Sequence, residues 1–292
     1  MTYEVQTALA AQAHLGECPI WSAREQVLYW VDILAPALNR FDPATGENRV
    51  MAMPAHIGCF GLREQGGFIV ALRNGIFLTD ADGNIEKQVG DNPTDTSKSR
   101  FNDGHVDLLG NFWAGTIWEP RDHKGGKLVR VKPTGESEVM GGDVLVSNGL
   151  GFSPDGRWMF HTDTPNHILY RYPLDEAGNP GERETLREFE RGTGGRPDGA
   201  AFDSEGYYWT AMFDGGRVLR INPENGEIVD EIRLPVRWPT MVAFGGDDLK
   251  TLYITSSREN RSEEELAQYP ESGNLFAVRV NVAGRAEPLF RG

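Results

Sequence analysis

The chain has 292 residues, 39% of them hydrophobic, and a net charge of −14, a charge that excludes nucleic acid as a partner because it repels phosphate backbones. No apolar run nears the roughly 18 residues of a membrane helix, so no membrane partner is expected. Two cysteines, Cys18 and Cys59, are too few for a disulfide framework, and residues 1–10 lack a basic stretch followed by an apolar one, so a cytoplasmic protein, monomeric or weakly homo-oligomeric, is expected.

In chain order, residues 3–9 are strand-like and precede a repeat. A short aromatic or β-branched strand then recurs as LYWVDI from Leu28, FIVALR from Phe68, FWAGTI from Phe112, MFHTDT from Met159, YWTAMF from Tyr208 and LYITSS from Leu252. An apolar strand ending in a polar turn follows each one, beginning at Leu38, Ile76, Leu128, Ile168, Val218 and Leu275. A Gly- or Asp-rich turn precedes all but the first, at Arg63, Asp107, Ser153, Asp203 and Gly245. Gly, Asn and Asp recur because they tolerate the positive φ of tight hairpins. A unit of about 45 residues with four antiparallel strands is the period of a propeller blade. Six copies predict one all-β domain over residues 1–292, a six-bladed β-propeller. Residues 3–9 are predicted to close the ring as the outer strand of the last blade, and residues 262–268 to form a surface turn of helix behind Ser262.

Aligning the repeats on their turns brings six positions into one phase: Glu17, Ile57, Asn102, Asn148, Asp198 and Thr240. Each lies four residues before a shared position, which is Trp21, Gly61, Val106, Phe152, Phe202 and Phe244 in turn. Four of the six carry a carboxylate or carboxamide oxygen, expected to converge on the axis from the loops at one mouth. Taken singly, NDG, NGL and PDG are ordinary turn sequences; in phase, they would repel or stay unsatisfied without a cation. Oxygen-only donors suit Ca²⁺, Mg²⁺ or Mn²⁺, and discriminate poorly against Zn²⁺ or Fe²⁺. Arg100, two residues before Asn102, suits a substrate hydroxyl or carbonyl oxygen. Glu119 ends FWAGTIWEP, at the exit of an inner strand. His161 sits mid-strand and reads as structural, or as support for a neighbour. No HExxH, GxSxG or GxxxxGK pattern is present.

The motifs LGECPIW around Glu17, RFNDG around Asn102, FWAGT before Glu119, SNGLGFSPDG around Asn148 and RPDGAAFDSEGYYW around Asp198 resemble those of the senescence-marker-protein/gluconolactonase family, the regucalcin-like sugar lactone lactonases. The resemblance covers essentially the whole chain. It implies one divalent cation in the central channel, with Glu17, Asn148 and Asp198 as metal ligands and Asn102 beside the metal or joined to it through water. It also implies Arg100, Asn102 and Glu119 as substrate contacts and Asp198 as the general base. Cys18 departs from the small Gly- or Ser-like residue of many relatives and reads as a small buried hydrophobe. Trp118, His123, Trp238 and Met241 are placed in loops near the mouth. The reaction implied is metal-dependent opening of a sugar lactone to its aldonic acid, with Asp198 or a hydroxide on the cation as base. A non-catalytic calcium-binding propeller, and an esterase or organophosphate hydrolase on the same fold, are the alternatives from other classes. A polar substrate grip beside the metal favours the lactonase.

Overall fold

The computed structural model describes residues 3–192 and 194–292; Met1 and Thr2, within the stretch read for a leader, and Thr193 lie outside the described residues. Six four-stranded antiparallel sheets follow one another. Their innermost strands are Gly16–Ser22, Ile57–Leu62, Ser99–Val106, Ser147–Phe152, Arg196–Phe202 and Pro239–Gly245. Each packs on the next, and the last packs on the first. This is the predicted closed propeller, with blades 1 to 6 numbered in that order. Val5–Leu9 is the outer strand of blade 6, antiparallel to Leu275–Arg279, with Val5 opposite Val278. The ring is therefore closed by the two ends of the chain, as expected.

The recurring aromatic strands are second in their blades, as with Val27–Asp32 beside Gly16–Ser22 and Phe112–Trp118 beside Ser99–Val106. Glu119 thus follows a second strand rather than an innermost one. The reason is room. Six strands converge at the axis, and a Cβ on Gly58 would collide with the Phe101 carbonyl, so small residues are needed where the inner strands come closest, and their aromatics lie further along. The shared position four residues past each aligned residue then packs back on the preceding blade. Phe152 meets Trp113 at 5.7 Å, Phe202 meets Phe160 at 5.1 Å, Phe244 meets Trp209 at 5.8 Å and Trp21 meets Tyr253 at 5.7 Å. Such pairs add about 0.5–1.5 kcal/mol each beyond their buried area. The surface helix is Glu263–Gln268, with Ser262 as its N-cap and a reciprocal bond from Glu265, as predicted.

Beyond the last repeat landmark the chain crosses the far mouth of the channel. Gly284 bridges Asp203 of blade 5, and Arg285, Ala286, Glu287 and Pro288 face His105, Phe152, Phe202 and Phe244 on four inner strands. The Phe290 amide donates to the Leu62 carbonyl, and the Glu64 amide donates to the Phe290 carbonyl, both at 2.9 Å. The Phe290 ring is buried in the core of blades 1 to 3. His105 Nε2 and Glu287 Oε2 pair at 2.9 Å under this strap. Access to the channel is therefore from the opposite mouth.

Two predictions follow from the strap. Phe290→Ala should destabilise the fold by about 3–5 kcal/mol, read as a fall in the urea midpoint, since a buried aromatic leaves a cavity; an unchanged midpoint would show that the strap carries no stability. Burial alone would lower the pKa of His105, but the Glu287 carboxylate and its hydrogen bond more than offset that and hold it above the ordinary histidine range. The pair's contribution is then complete below the unfolded histidine value of about 6.5 and is lost as pH rises through the higher folded value. The stability gap between wild type and Glu287→Gln should narrow on going from about pH 6 to pH 8.5, with ~6.5 as the lower edge of the window. Parallel profiles would rule out this linkage.

Candidate active site

All six inner strands carry a register shift at the same level. It falls between Glu17 and Ile20, Ile57 and Cys59, Phe101 and Gly104, Asn148 and Gly151, Pro197 and Ala200, and Pro239 and Val242. Each shift takes in the aligned residue or the one or two after it. A bulge releases a residue from the ladder and re-aims its side chain. The site residues therefore lie within strands at bulges, not in the loops expected to carry them. Two glycines make room for the ring there. Gly149 has φ +56, and a Cβ on it would crowd the Asp198 carbonyl at 2.8 Å; one on Gly199 would strike Met241. Cys18 adopts φ +44, the left-handed region where small residues are favoured, and is buried as expected.

Three of the sequence-identified residues are joined directly. Arg100 Nη1 donates to Asn102 Oδ1 at 2.7 Å and to the Phe101 carbonyl at 3.0 Å. Asn102 Nδ2 donates to Asn148 Oδ1 at 2.6 Å and to the Ser147 carbonyl at 3.0 Å. Asn148 Nδ2 donates to Thr164 Oγ1 at 2.8 Å, and Thr164 Oγ1 donates to the carbonyl of Pro197, beside Asp198, at 2.8 Å. This relay crosses blades 3, 4 and 5. It fixes the Asn148 amide, whose oxygen keeps one lone pair free. Glu119 stands between two guanidiniums, 2.7 Å from Arg73 Nη2 and 3.9 Å from Arg100 Nε.

Glu17 and Asp198 are both buried, and Asp198 Oδ1 has no hydrogen-bond partner. Burial pushes the Glu17 carboxyl well above the usual carboxylate range, and the charges of Asp198 and Asp103 push it further. Burial and the charge of Asp103 do the same to Asp198, against a smaller pull from Arg196. A buried acid pair with an orphaned oxygen and an adjacent amide oxygen has the donor chemistry that a hard divalent cation takes. The residues thus fit such an ion. Among the described residues no three His, Cys, Asp or Glu side chains are grouped to hold a metal. With only two acids in this set, the carboxamide of Asn148 would be the side-chain oxygen available as a third donor.

The two aligned positions without acid or amide serve the ring itself. Ile57 is fully buried, and Thr240 Oγ1 donates to the Gly16 carbonyl at 2.5 Å, fastening blade 6 to blade 1. His161 is structural. Burial, with Arg183 nearby, lowers its pKa to about 4, and Nε2 lies 2.7 Å from Ser147 Oγ under the relay. Trp118 and His123 meet as a tilted pair, ring centres 4.8 Å apart, at the residue before Glu119. Trp238 is fully buried against Tyr269, and Met241 lies inside an inner strand rather than in a loop, packed where Gly199 lacks a side chain.

Two contributors were not singled out from the sequence. Thr164 begins a short 3₁₀ turn, and nothing in TDTPN marks it as the support of an amide. Asp103 follows Asn102 in the NDG sequence and reads as a turn residue. It is buried, and its carboxylate accepts from the Gly104 amide at 2.7 Å and the Leu150 amide at 2.9 Å. Burial still pushes its pKa up to about 6. The one available signal was its position beside an aligned residue.

Residues 15–258 match the SMP-30/gluconolactonase/LRE-like region. The chain is similar to the 6-deoxy-6-sulfogluconolactonase of Pseudomonas putida, at 66% identity over 278 residues and 95% of each chain. It is also similar to regucalcin of Xenopus laevis, at 30% identity over 99% of each chain. Among solved structures it resembles a calcium-binding regucalcin of Agrobacterium tumefaciens, with TM-score 0.94, 28% identity, and 100% and 99% of the two chains covered. The chain belongs to the SMP-30/gluconolactonase/LRE-like family.

Proposed function

We propose that this chain, a sugar lactonase and hence a carboxylic ester hydrolase, opens 6-deoxy-6-sulfogluconolactone to its open-chain acid at one divalent cation held by Glu17, Asn148 and Asp198. The 66% identity to an enzyme of that name supports the substrate. The observation that carries the site is the buried, unpartnered Asp198 Oδ1 beside a second buried acid. Calcium, manganese, magnesium, zinc and iron(II) are all compatible with oxygen donors.

The bound ion would supply Lewis acidity at the lactone carbonyl and organise water. The chain's own residues do the rest. Asp198 Oδ1 takes a proton from the attacking water, whose oxygen bonds to the carbonyl carbon. The ring C–O bond then breaks, and the ring oxygen leaves as a hydroxyl, receiving a proton in turn. Beside a bound cation the Asp198 carboxyl would be held ionised, which is the form that accepts a proton. Arg100 spends one nitrogen on Asn102 and the Phe101 carbonyl, and its remaining N–H groups can hold a carbonyl or hydroxyl oxygen. Glu119, exposed at its tip, accepts from sugar hydroxyls, and Asn102 fixes the angle of Arg100. Nothing in a non-catalytic calcium scaffold would call for this grip, and the lactonase relative sets that alternative aside.

Two measurements test the reading. A panel of aldonolactones should be hydrolysed by the wild type, lose hydrolysis on chelation and regain it on single-metal add-back; Asp198→Asn should lower kcat by about 10²–10⁴-fold. Full activity of Asp198→Asn, or no metal-dependent hydrolysis of any sugar lactone, would refute the assignment. Thr164→Val should free the Asn148 amide and weaken metal binding about 10- to 100-fold by calorimetric titration. Unaltered affinity would show that Asn148 is not a ligand held by Thr164.

A further inference from the structure

Arg196 stands two residues before Asp198, as Arg100 stands two residues before Asn102. The other four blades carry Leu15, Ala55, Val146 and Trp238 at this level. Blades 3 and 5 alone therefore place a guanidinium one strand step above the ring of oxygens. Their surroundings differ. Arg100 is buried and committed to Asn102 and the Phe101 carbonyl. Arg196 is 30% exposed, lies over the Phe213 ring at 5.2 Å, and has a buried Nε with no hydrogen-bond partner. Its carboxylate contact is Asp214, at 3.9 Å. Asp214 is already taken by Arg237 Nε at 2.7 Å and Trp238 Nε1 at 3.2 Å. One carboxylate thus serves two guanidiniums, and the other acid that feels the charge of Arg196 is the buried Asp198. On the blade 3 side, Glu119 is likewise shared by Arg73 and Arg100, and the charge of Glu259 also reaches Arg100. Both sides share one carboxylate between two guanidiniums; Arg196 is the more exposed of the two arginines, and its Nε has no hydrogen-bond partner.

An arginine stacked on an aromatic ring keeps its edge N–H groups in a fixed plane, ready for an anion with several acceptor oxygens. A sulfonate is such an anion, permanently charged at any physiological pH. Two residues of strand separate Arg196 from Asp198, roughly 6.6 Å of rise. That rise puts the two residues at neighbouring levels of the channel, on the scale of one sugar ring and its side arm. We infer that Arg196, backed by Phe213 and Arg237, is the seat of the anionic group at the end of the substrate remote from the lactone carbonyl. This inference rests on the sulfonated substrate proposed above. It gives the enzyme a means of preferring a sulfonated lactone over its neutral counterpart.

The test compares wild type, Arg196→Gln and Arg196→Lys in two ways. First, binding of 6-deoxy-6-sulfogluconate and of gluconate is measured by calorimetry. The wild type should prefer the sulfonated acid, the preference should fall about 10- to 100-fold in Arg196→Gln, the size of a lost charge-assisted hydrogen bond, and Arg196→Lys should recover part of it. Secondly, the ratio of kcat/KM for the sulfonated over the neutral lactone should fall by the same factor, mainly through KM. Added salt should raise the wild-type KM for the sulfonated lactone and leave that of Arg196→Gln nearly flat. A wild type that binds both acids equally, or an Arg196→Gln variant with an unchanged ratio, overturns the inference. Selective binding of the sulfonated acid without hydrolysis of either lactone would uphold the seat and refute the reaction proposed above.

Discussion

In every blade the inner strand holds one residue more than its partner over the same short stretch, and the chemistry of the channel depends on that surplus. A regular antiparallel strand would commit each backbone group to the ladder and point alternate side chains into the neighbouring blades. The bulge interrupts this at one level, in six strands at once. Glu17, Asn102, Asn148 and Asp198 are delivered to a common ring, while Ile57 and Thr240 seal it. The close approach requires small residues, which is why Gly58, Gly149 and Gly199 occupy these strands. Four residues past the aligned position, inner-strand aromatics pair with aromatics of the preceding blade, so the packing that holds the ring and the bulges share one register.

Burying acids at the centre of an acidic protein is costly, and the structure divides that burden among three devices. Asp103 is held by backbone amides. Glu17 and Asp198 are left with raised pKa values and an orphaned oxygen, a state that a divalent cation relieves. The carboxamide relay from Arg100 to Thr164 fixes the Asn148 amide and links Arg100 to the backbone beside Asp198. Removing one member leaves the others misdirected, which is why positioning residues such as Thr164 matter to a site they do not enter.

The two mouths of the channel are unlike. The far one is crossed by the C-terminal strap and pinned by Phe290 and the His105–Glu287 pair. The open one is rimmed by guanidiniums that outnumber their nearest carboxylates at Arg196 and Arg237.

Periodicity was enough to determine six blades, the closing strand, the cap at Ser262 and the common phase of Glu17, Asn102, Asn148 and Asp198, because strand repeats and turn residues are local and recur at a countable interval. Family resemblance then named the reaction. Contacts between blades lay beyond that reach. The Asn102–Asn148 bond joins residues 46 apart, and Thr164 reaches Pro197 across 33. Whether Trp238 and Met241 line a pocket or a core, which strand Glu119 follows, and where the last residues run were all decided by how the ring closed. So was the bond from Arg100 to Asn102 against the unpartnered Nε of Arg196, two arginines in equivalent sequence positions. A repeat sets each side chain's level on its own blade; only closure of all six sets what it meets across the axis.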